Sequence, residues 1–133
     1  MFNEVKDSGK RAEYQTGAVR DNQEGKGRYD LLPIYAIHRL ARHFENGARK
    51  YGDSNWRKGI PYSRYIDSAK RHIDSYLMGN ADEDHLIAAA WNLLCLVETQ
   101  IMVDKNILPG ELDDIYKFTG VISEQIKDVS NVS

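Results

Sequence analysis

The feature that most constrains this fold is one predicted helix that is apolar on nearly every side. It follows the acidic cluster Asp82-Glu83-Asp84 and extends to about Lys105. Between residues 86 and 97, Asn92 is the single strongly polar side chain. A helix of this kind is normally central, with neighbours packed against all of its faces. The rest of one short chain cannot cover it, so we expect the chain to form a homo-oligomer.

Helical spacing of apolar residues predicts two more helices ahead of this one. The first begins at Pro33, a favoured residue in a first turn, and ends at Gly52. The second extends from an N-cap at Ser63 to about Met78, where Gly79 stops it. The predicted fold class is therefore mainly α, a compact helical domain of three main helices.

We expect a single ligand-binding domain over residues 1–133, because this length supports one hydrophobic core. Residues 1–32 form a polar N-terminal arm, with short strands near residues 12–16 and 18–20. Residues 33–105 form the helical core. Residues 111–128 form a weakly helical C-terminal segment, and we expect the last five residues to be frayed.

Charge is distributed unevenly along the chain. The first 71 residues carry 15 lysines and arginines against 9 acidic residues, whereas the remaining 62 carry 3 against 11. This pattern fits an anionic ligand, head-to-tail contact between subunits, or a solvated surface. The isoelectric point of about 6.1 lies far below the range typical of nucleic-acid binders, so DNA is not an expected partner.

Features that report on cellular compartment indicate the cytoplasm. Cys95 is the one cysteine, which rules out an intrachain disulfide and fits a reducing environment. Its apolar surroundings predict a buried, inert thiol. The first residues are polar and unlike a signal peptide, and the apolar runs are short and interrupted. We therefore expect no contact with a membrane.

Residues of the types that bind phosphates and nucleotide bases occur before the second helix. Gly25-Lys26-Gly27-Arg28 is either a simple turn or a phosphate contact. Trp56 follows Asn55 in a polar loop, where it either caps the core or stacks on a base. The spacing matches neither a Walker loop nor a dinucleotide-binding fingerprint.

Asn92 and two histidines are the polar residues of most interest in the helices. An unpartnered amide inside the apolar helix would cost about 1–3 kcal/mol, so Asn92 either bonds across a subunit interface or contacts a ligand. It shares a helical face with His85, beside Asp84. His72 is either a satisfied core histidine or part of a site, since Arg71 lies next to it.

The sequence lacks the carboxylate pattern of a magnesium-dependent pyrophosphohydrolase. Such helical enzymes use paired acids three residues apart, and this chain has its inward acids scattered singly. A His72, Asp74 and His85 cluster could bind a transition metal, but its spacing is weak support. We therefore predict no catalytic residue, no metal site and no cofactor, and a chain that is not an enzyme.

Six motifs in order give the chain a recognisable pattern over roughly residues 10–100. It resembles a phage family labelled dATP/dGTP diphosphohydrolase, N-terminal, whose members include the Thoeris anti-defence proteins of the first type. The motifs are Gly17-Ala-Val-Arg-Asp21, Gly25-Lys-Gly-Arg-Tyr-Asp-Leu-Leu-Pro33, Gly47-Ala-Arg-Lys-Tyr-Gly52, Asn55-Trp-Arg-Lys-Gly59, Ser68-Ala-Lys-Arg-His72 and Asp82-Glu-Asp-His-Leu-Ile-Ala-Ala-Ala-Trp-Asn92.

The resemblance implies a sponge that sequesters cyclic ADP-ribose-type signals made by TIR-domain enzymes and so blocks Thoeris immunity in the host cytoplasm. It also implies a homo-oligomer, a dimer or a higher assembly such as a hexamer, and sites for cyclic oligonucleotides in some members. The alternative function is a metal-dependent dATP/dGTP pyrophosphohydrolase. The ligand-binding residues expected on this basis are Arg20, Lys26, Arg28, Asn55, Trp56, Arg71, His72, Asp84, His85 and Asn92.

Overall fold

The computed structural model describes residues 5–115 and confirms a mainly helical fold with a small two-stranded sheet in the arm. The chain divides into two compact units, Met1–Ile34 and Tyr35–Ser133. The predicted helical structure of residues 116–128, and the frayed end, lie outside the described residues.

The first unit contains a short antiparallel hairpin. Strand β1 (Arg11–Glu13) pairs with β2 (Val19–Asp21), with Ala12 opposite Arg20. Gly17 closes the turn between them with a φ of 86°, a conformation that glycine adopts without strain. A short 3-10 turn at Tyr29–Leu31 follows. Both strands lie close to their predicted positions.

Helix α1 (Ile34–Tyr51) has almost the predicted bounds, and Gly52 follows it with a φ of 91°. Helical spacing predicts a buried apolar stripe on α1 that consists of Ile34, Ile37, Ala41, Phe44, Ala48 and Tyr51. That prediction is wrong for much of the stripe. Ile34, Ile37 and Tyr51 are 65%, 44% and 63% exposed, and none of the helix's residues is fully buried. Within the described residues, the ring contacts of α1 with α3 are those of His43 and Phe44 with Trp91, which lie in the middle of α1 and leave its ends uncovered.

Helices α2 (Tyr62–Leu77) and α3 (His85–Asp104) form the core of the second unit. Tyr65 and Ala69 of α2 are buried, as are Ala88 and Cys95 of α3. Asp84 caps α3 as its acidic position predicts, because its carboxylate accepts a hydrogen bond from Ile87 N at 3.2 Å.

The expected N-cap at Ser63 is wrong, because α2 starts at Tyr62 after Pro61. Ser63 instead donates a backbone hydrogen bond of 2.9 Å to the Asp114 carboxylate, and its hydroxyl binds the same group. A 3-10 turn at Gly110–Leu112 places Leu112 against Gly59. A Cβ atom at Gly59 would lie 3.0 Å from Leu112 Cδ1, so a side chain there would crowd this contact.

One face of α3 remains uncovered within the described part of the chain. Its residues lie at helical spacing and are 43–51% exposed: Leu86, Leu93, Leu94, Val97 and Ile101. By length and composition alone α3 could cross a membrane, with a mean hydropathy of 1.7 over its most apolar part. The expectation of no membrane contact stays a prediction, because the core helix of a soluble protein can have the same length and composition.

Candidate functional site

The main cavity of the second unit lies among α1, the segment that follows it, α2 and α3. Its volume is about 400 Å³, within the range of small-molecule sites. A short 3-10 turn at Asn55–Lys58 forms part of one wall. Gly47 and Ala48 line the α1 side, where their small size leaves space. The cavity thus occupies the gap that α1 leaves by packing loosely.

Aromatic rings form much of the cavity wall. Phe44 lies with its ring centre 6.3 Å from that of Trp56 and 5.9 Å from that of Trp91. Tyr65 lies 6.5 Å from Trp91 in an edge-on arrangement, and Tyr51 completes the aromatic lining. Flat, rigid faces of this kind suit the planar ring of a base.

Two wall residues carry buried polar atoms in need of a partner. Trp91 Nε1 is buried and has no hydrogen-bond partner among residues 5–115. Tyr65 Oη is also buried without a well-formed bond, although the Thr99 hydroxyl lies near it. Burial raises the pKa of Tyr65, so its hydroxyl stays protonated and able to donate. Unsatisfied buried donors are uncommon, and each calls for an explanation such as a catalytic role or a bound water or ion.

Asn92 supplies an amide to the cavity from the middle of α3. It is 6% exposed, and its Nδ2 donates to the Ala88 carbonyl at 2.8 Å in its own helix. Within the described chain, no bond to its Oδ1 is present. Its own helix therefore satisfies part of the amide and leaves the acceptor oxygen for another group.

The charge of the cavity is positive. Arg64 and Arg71 line it from positions two turns apart on α2. Arg71 is 64% exposed and forms one ion pair, with Asp67 at 3.2 Å. Of the described residues that line the cavity, none is aspartate or glutamate. Two guanidinium groups without an acid in the described lining favour an anionic ligand, even though Asp67 pairs with one of them outside the lining.

His43 lines this cavity and a second one of about 350 Å³. Its ring lies 5.5 Å from that of Trp91, and burial lowers its pKa, which keeps the imidazole neutral. The second cavity also includes Arg39, whose guanidinium binds the Asp84 carboxylate with one contact of 2.5 Å. This ion pair holds the pKa of Asp84 below its usual value.

The structure brings together four of the predicted ligand-binding residues. Asn55, Trp56, Arg71 and Asn92 all line the main cavity, although they come from three separate segments. Trp56 also stacks under Arg57, whose guanidinium carbon lies 4.6 Å from the ring centre. This contact places a cation against one face of the Trp56 ring.

The other helical residues of the predicted set lie elsewhere. His72 and His85 pair with each other, with their Nδ1 atoms 3.0 Å apart, and do not line the main cavity. Asp84 lines the second cavity, where it caps α3 and binds Arg39. Asp74 takes no part in the histidine cluster, and its place is held by Glu83.

The three cationic residues expected from the arm belong to the first unit. Lys26 binds Asp21 at 2.6 Å, and that contact lowers the pKa of the Asp21 carboxyl. Arg28 forms a two-pronged ion pair with Asp30, with distances of 2.8 and 2.7 Å. Arg20 lies in β2 opposite Ala12. Carboxylates of the arm thus already neutralise two of these cations.

Sequence reasoning missed His43, Arg64, Ser68 and Trp91 as cavity residues. A signal for part of this set exists, because Arg64, Ser68 and Arg71 share one face of α2 at spacings of four and three residues. On the sequence alone, His43 falls on a polar stripe of α1 with Arg39, Asn46 and Lys50, a pattern typical of solvated surface. Only the packing of α1 across from α3 turns that stripe toward the cavity.

Comparison with known proteins identifies the family. The family model described as dATP/dGTP diphosphohydrolase, N-terminal, matches residues 16–107, and the chain belongs to this family. No curated protein and no solved structure matches the chain.

This match corrects one expectation from the sequence. The absence of paired carboxylates had suggested a chain that is not an enzyme, whereas the family is named for a diphosphohydrolase. Motif spacing was a poor guide here, because metal-binding carboxylates can also come from residues that are distant in sequence.

Proposed function

We propose that the main cavity binds a purine nucleotide. The observation that carries this proposal is the composition of its wall, in which aromatic rings and two arginines surround a space of about 400 Å³ without a lining acid. Aromatic faces bind bases by stacking, and guanidinium groups bind phosphates. The family's name, which refers to purine nucleotides, supports the same ligand class.

The arrangement of the wall suggests how such a ligand would lie. Its base would stack near Trp56 and Phe44, and its phosphates would contact Arg64 and Arg71 at the more exposed side of the cavity. Asn92 would accept a hydrogen bond from the ligand through Oδ1. The ordered rings and the buried amide require little rearrangement on binding, which favours affinity.

As a finer proposal, the ligand is a cyclic ADP-ribose-type signal made by a TIR-domain enzyme. The chain would then act as a Thoeris anti-defence protein in the host cytoplasm, by capturing the signal. The motifs around Asn55-Trp56 and Asn92 support this, since they carry the resemblance and also line the cavity. A compact ligand with one purine and one pyrophosphate suits a single aromatic wall beside two arginines. Cyclic oligonucleotides are a second ligand class to test.

The experiment is a retention assay with the purified chain. The protein is mixed with cyclic ADP-ribose isomers, separated from free ligand by gel filtration and heated, and the released ligand is identified by mass spectrometry. The proposal expects the signal to co-elute with the chain and to be recovered from it. If the protein is in excess over the ligand and still carries no nucleotide through the column, the proposal is refuted.

Hydrolysis of dATP or dGTP is the second candidate function, and membership of the family favours it. The same assay with dATP, dGTP and Mg²⁺ or Mn²⁺ measures it directly. Release of nucleoside monophosphate and pyrophosphate by the wild-type chain, and not by a chain treated with EDTA, would establish this activity.

We also propose that a second copy of the chain covers the exposed face of α3. Five apolar residues at 43–51% exposure on one helix are more than a soluble monomer usually leaves uncovered. Light scattering should give a mass above that of one chain, and a Leu93→Gln, Val97→Gln variant should shift it toward the monomer. A wild-type chain that is monomeric in buffer, or that stays in solution only with detergent, would contradict this proposal.

A further inference from the structure

A cluster of potential metal ligands lies apart from the main cavity, where the end of α2 approaches the start of α3. It consists of His72 on α2, Glu83 in the connecting loop and His85, the first residue of α3. Each offers one donor atom, and these atoms lie within 4.8 Å of one another. His85 is 7% exposed, so one ligand of the cluster is held firmly inside the fold.

From this cluster we propose that His72, Glu83 and His85 form a Zn²⁺ site. Two imidazoles and one carboxylate are a common set of protein ligands for zinc, and they leave a fourth position for water or another ligand. Imidazole and carboxylate together favour zinc and similar transition metals over Mg²⁺ or Ca²⁺, which prefer oxygen donors.

The average distance between the donor atoms agrees with tetrahedral coordination. His72 Nδ1 and His85 Nδ1 are 3.0 Å apart, and Glu83 Oε1 lies 3.3 Å from the first and 3.7 Å from the second. At zinc bond lengths of about 2.0–2.2 Å, tetrahedral donors are separated by about 3.3–3.6 Å. Octahedral neighbours at the same bond length would be about 2.8–3.1 Å apart, so the average separation favours the tetrahedral arrangement.

A second carboxylate orients the buried histidine for this role. Asp82 Oδ1 lies 2.7 Å from His85 Nε2, on the opposite side of the ring from the cluster. A hydrogen bond there keeps the proton on Nε2 and leaves the Nδ1 lone pair directed toward His72 and Glu83. Carboxylates that bind the outer nitrogen of a ligating histidine in this way are a regular feature of zinc sites.

In the absence of metal, the same contact between the two Nδ1 atoms is an ordinary N–H···N hydrogen bond. That alternative predicts a pair of histidines that bridges α2 and α3 and has no preference for metal. The two possibilities differ in stoichiometric metal uptake, in the geometry around the metal and in their dependence on Glu83. Glu83 is 54% exposed and is not needed for the hydrogen bond between the rings.

The test uses the full chain without a polyhistidine tag. After dialysis against Zn²⁺ and then metal-free buffer, elemental analysis should find about one Zn²⁺ per chain. Competition with a chromogenic chelator should show that His72→Gln and Glu83→Gln each weaken binding at least hundredfold. Asp82→Asn should weaken it about 10–100-fold, as expected for a residue that positions a ligand. His38→Gln is the matched control, because His38 is exposed on α1, and it should bind as the wild type does.

Cobalt substitution reports the geometry. The Co²⁺ form should show the strong visible absorption of a tetrahedral centre, and the Glu83→Gln variant should lose it while its circular dichroism spectrum is unchanged. The proposal is overturned if the wild-type chain retains no Zn²⁺, if Glu83→Gln and His72→Gln bind as tightly as His38→Gln, or if cobalt gives a weak octahedral spectrum. Nucleotide binding in the main cavity is measured separately, so either proposal can fail without the other.

Discussion

Replacing Asn92 with leucine should separate ligand binding from stability. The side chain is 6% exposed, and its one hydrogen bond in the described structure is to the Ala88 carbonyl of its own helix. Loss of that bond costs about 1 kcal/mol. Burial of a leucine side chain gains about 1.5–3 kcal/mol, and the adjoining cavity has room for it. We therefore expect Asn92→Leu to raise the free energy of unfolding by about 1 kcal/mol.

Ligand binding should change in the opposite direction. A ligand donor that loses its partner at Asn92 Oδ1 costs about 1–3 kcal/mol, which corresponds to a dissociation constant about 5- to 150-fold higher. Thr99→Val is the matched control. Thr99 is fully buried on the same helix and bonds the Cys95 carbonyl at 2.7 Å in the same manner, but it does not line the cavity.

The assay pairs urea denaturation, followed by circular dichroism, with calorimetric titration of the nucleotide. Asn92→Leu should unfold at higher urea and bind weakly, whereas Thr99→Val should bind within twofold of the wild type. Unchanged nucleotide affinity in Asn92→Leu would refute the assignment of this amide to the ligand. A loss of stability of several kcal/mol would refute the structural account of its burial.

Three further predictions concern charge, the thiol and pH. Arg71→Gln should weaken nucleotide binding about tenfold by calorimetry. A charged hydrogen bond contributes about 1.5–3 kcal/mol, and solvent partly screens Arg71. Lys70→Gln removes the same charge outside the cavity and should leave the nucleotide affinity unchanged. Burial raises the pKa of Cys95 to about 12, so iodoacetamide at pH 8 should alkylate this thiol only in the unfolded chain. Rapid labelling without denaturant would contradict the burial of Cys95. The pKa of His43 lies below its usual 6.5 in the folded chain, so the unfolded chain takes up the proton first and the free energy of unfolding falls as the pH drops below about 6.5. Between pH 7.5 and 5.5, His43→Gln should therefore lose less unfolding free energy than the wild type. Equal losses would count against the buried neutral ring.

The sequence was sufficient to locate the helices because their ends carry local signals. Gly52 follows α1 and Asp84 caps α3, and each signal acts within a few residues of its own position. Ser63 shows the limit of such reasoning. It has the right chemistry for an N-cap, but a carboxylate more than fifty residues away binds its backbone and hydroxyl. Contacts between distant segments cannot be inferred from local preference.

The candidate site was only partly predictable for the same reason. Asn92 and Trp56 stood out because a polar residue in an apolar helix and an aromatic residue in a polar loop are each unusual locally. His43 and Arg64 looked like ordinary surface residues, and their role depends on how α1 and α2 face each other. The histidine cluster likewise contains Glu83 and not the predicted Asp74, because the path of the loop before α3 decides which acid lies near the histidines.

The most direct test of nucleotide binding in this cavity uses the chain's own tryptophans. The chain contains two, Trp56 and Trp91, and both line the main cavity. Titration with a cyclic ADP-ribose isomer or a purine nucleotide should therefore change the intrinsic fluorescence in a saturable way, with the same dissociation constant as calorimetry gives. Binding that calorimetry detects while the fluorescence of both tryptophans stays constant would place the ligand elsewhere and contradict the account.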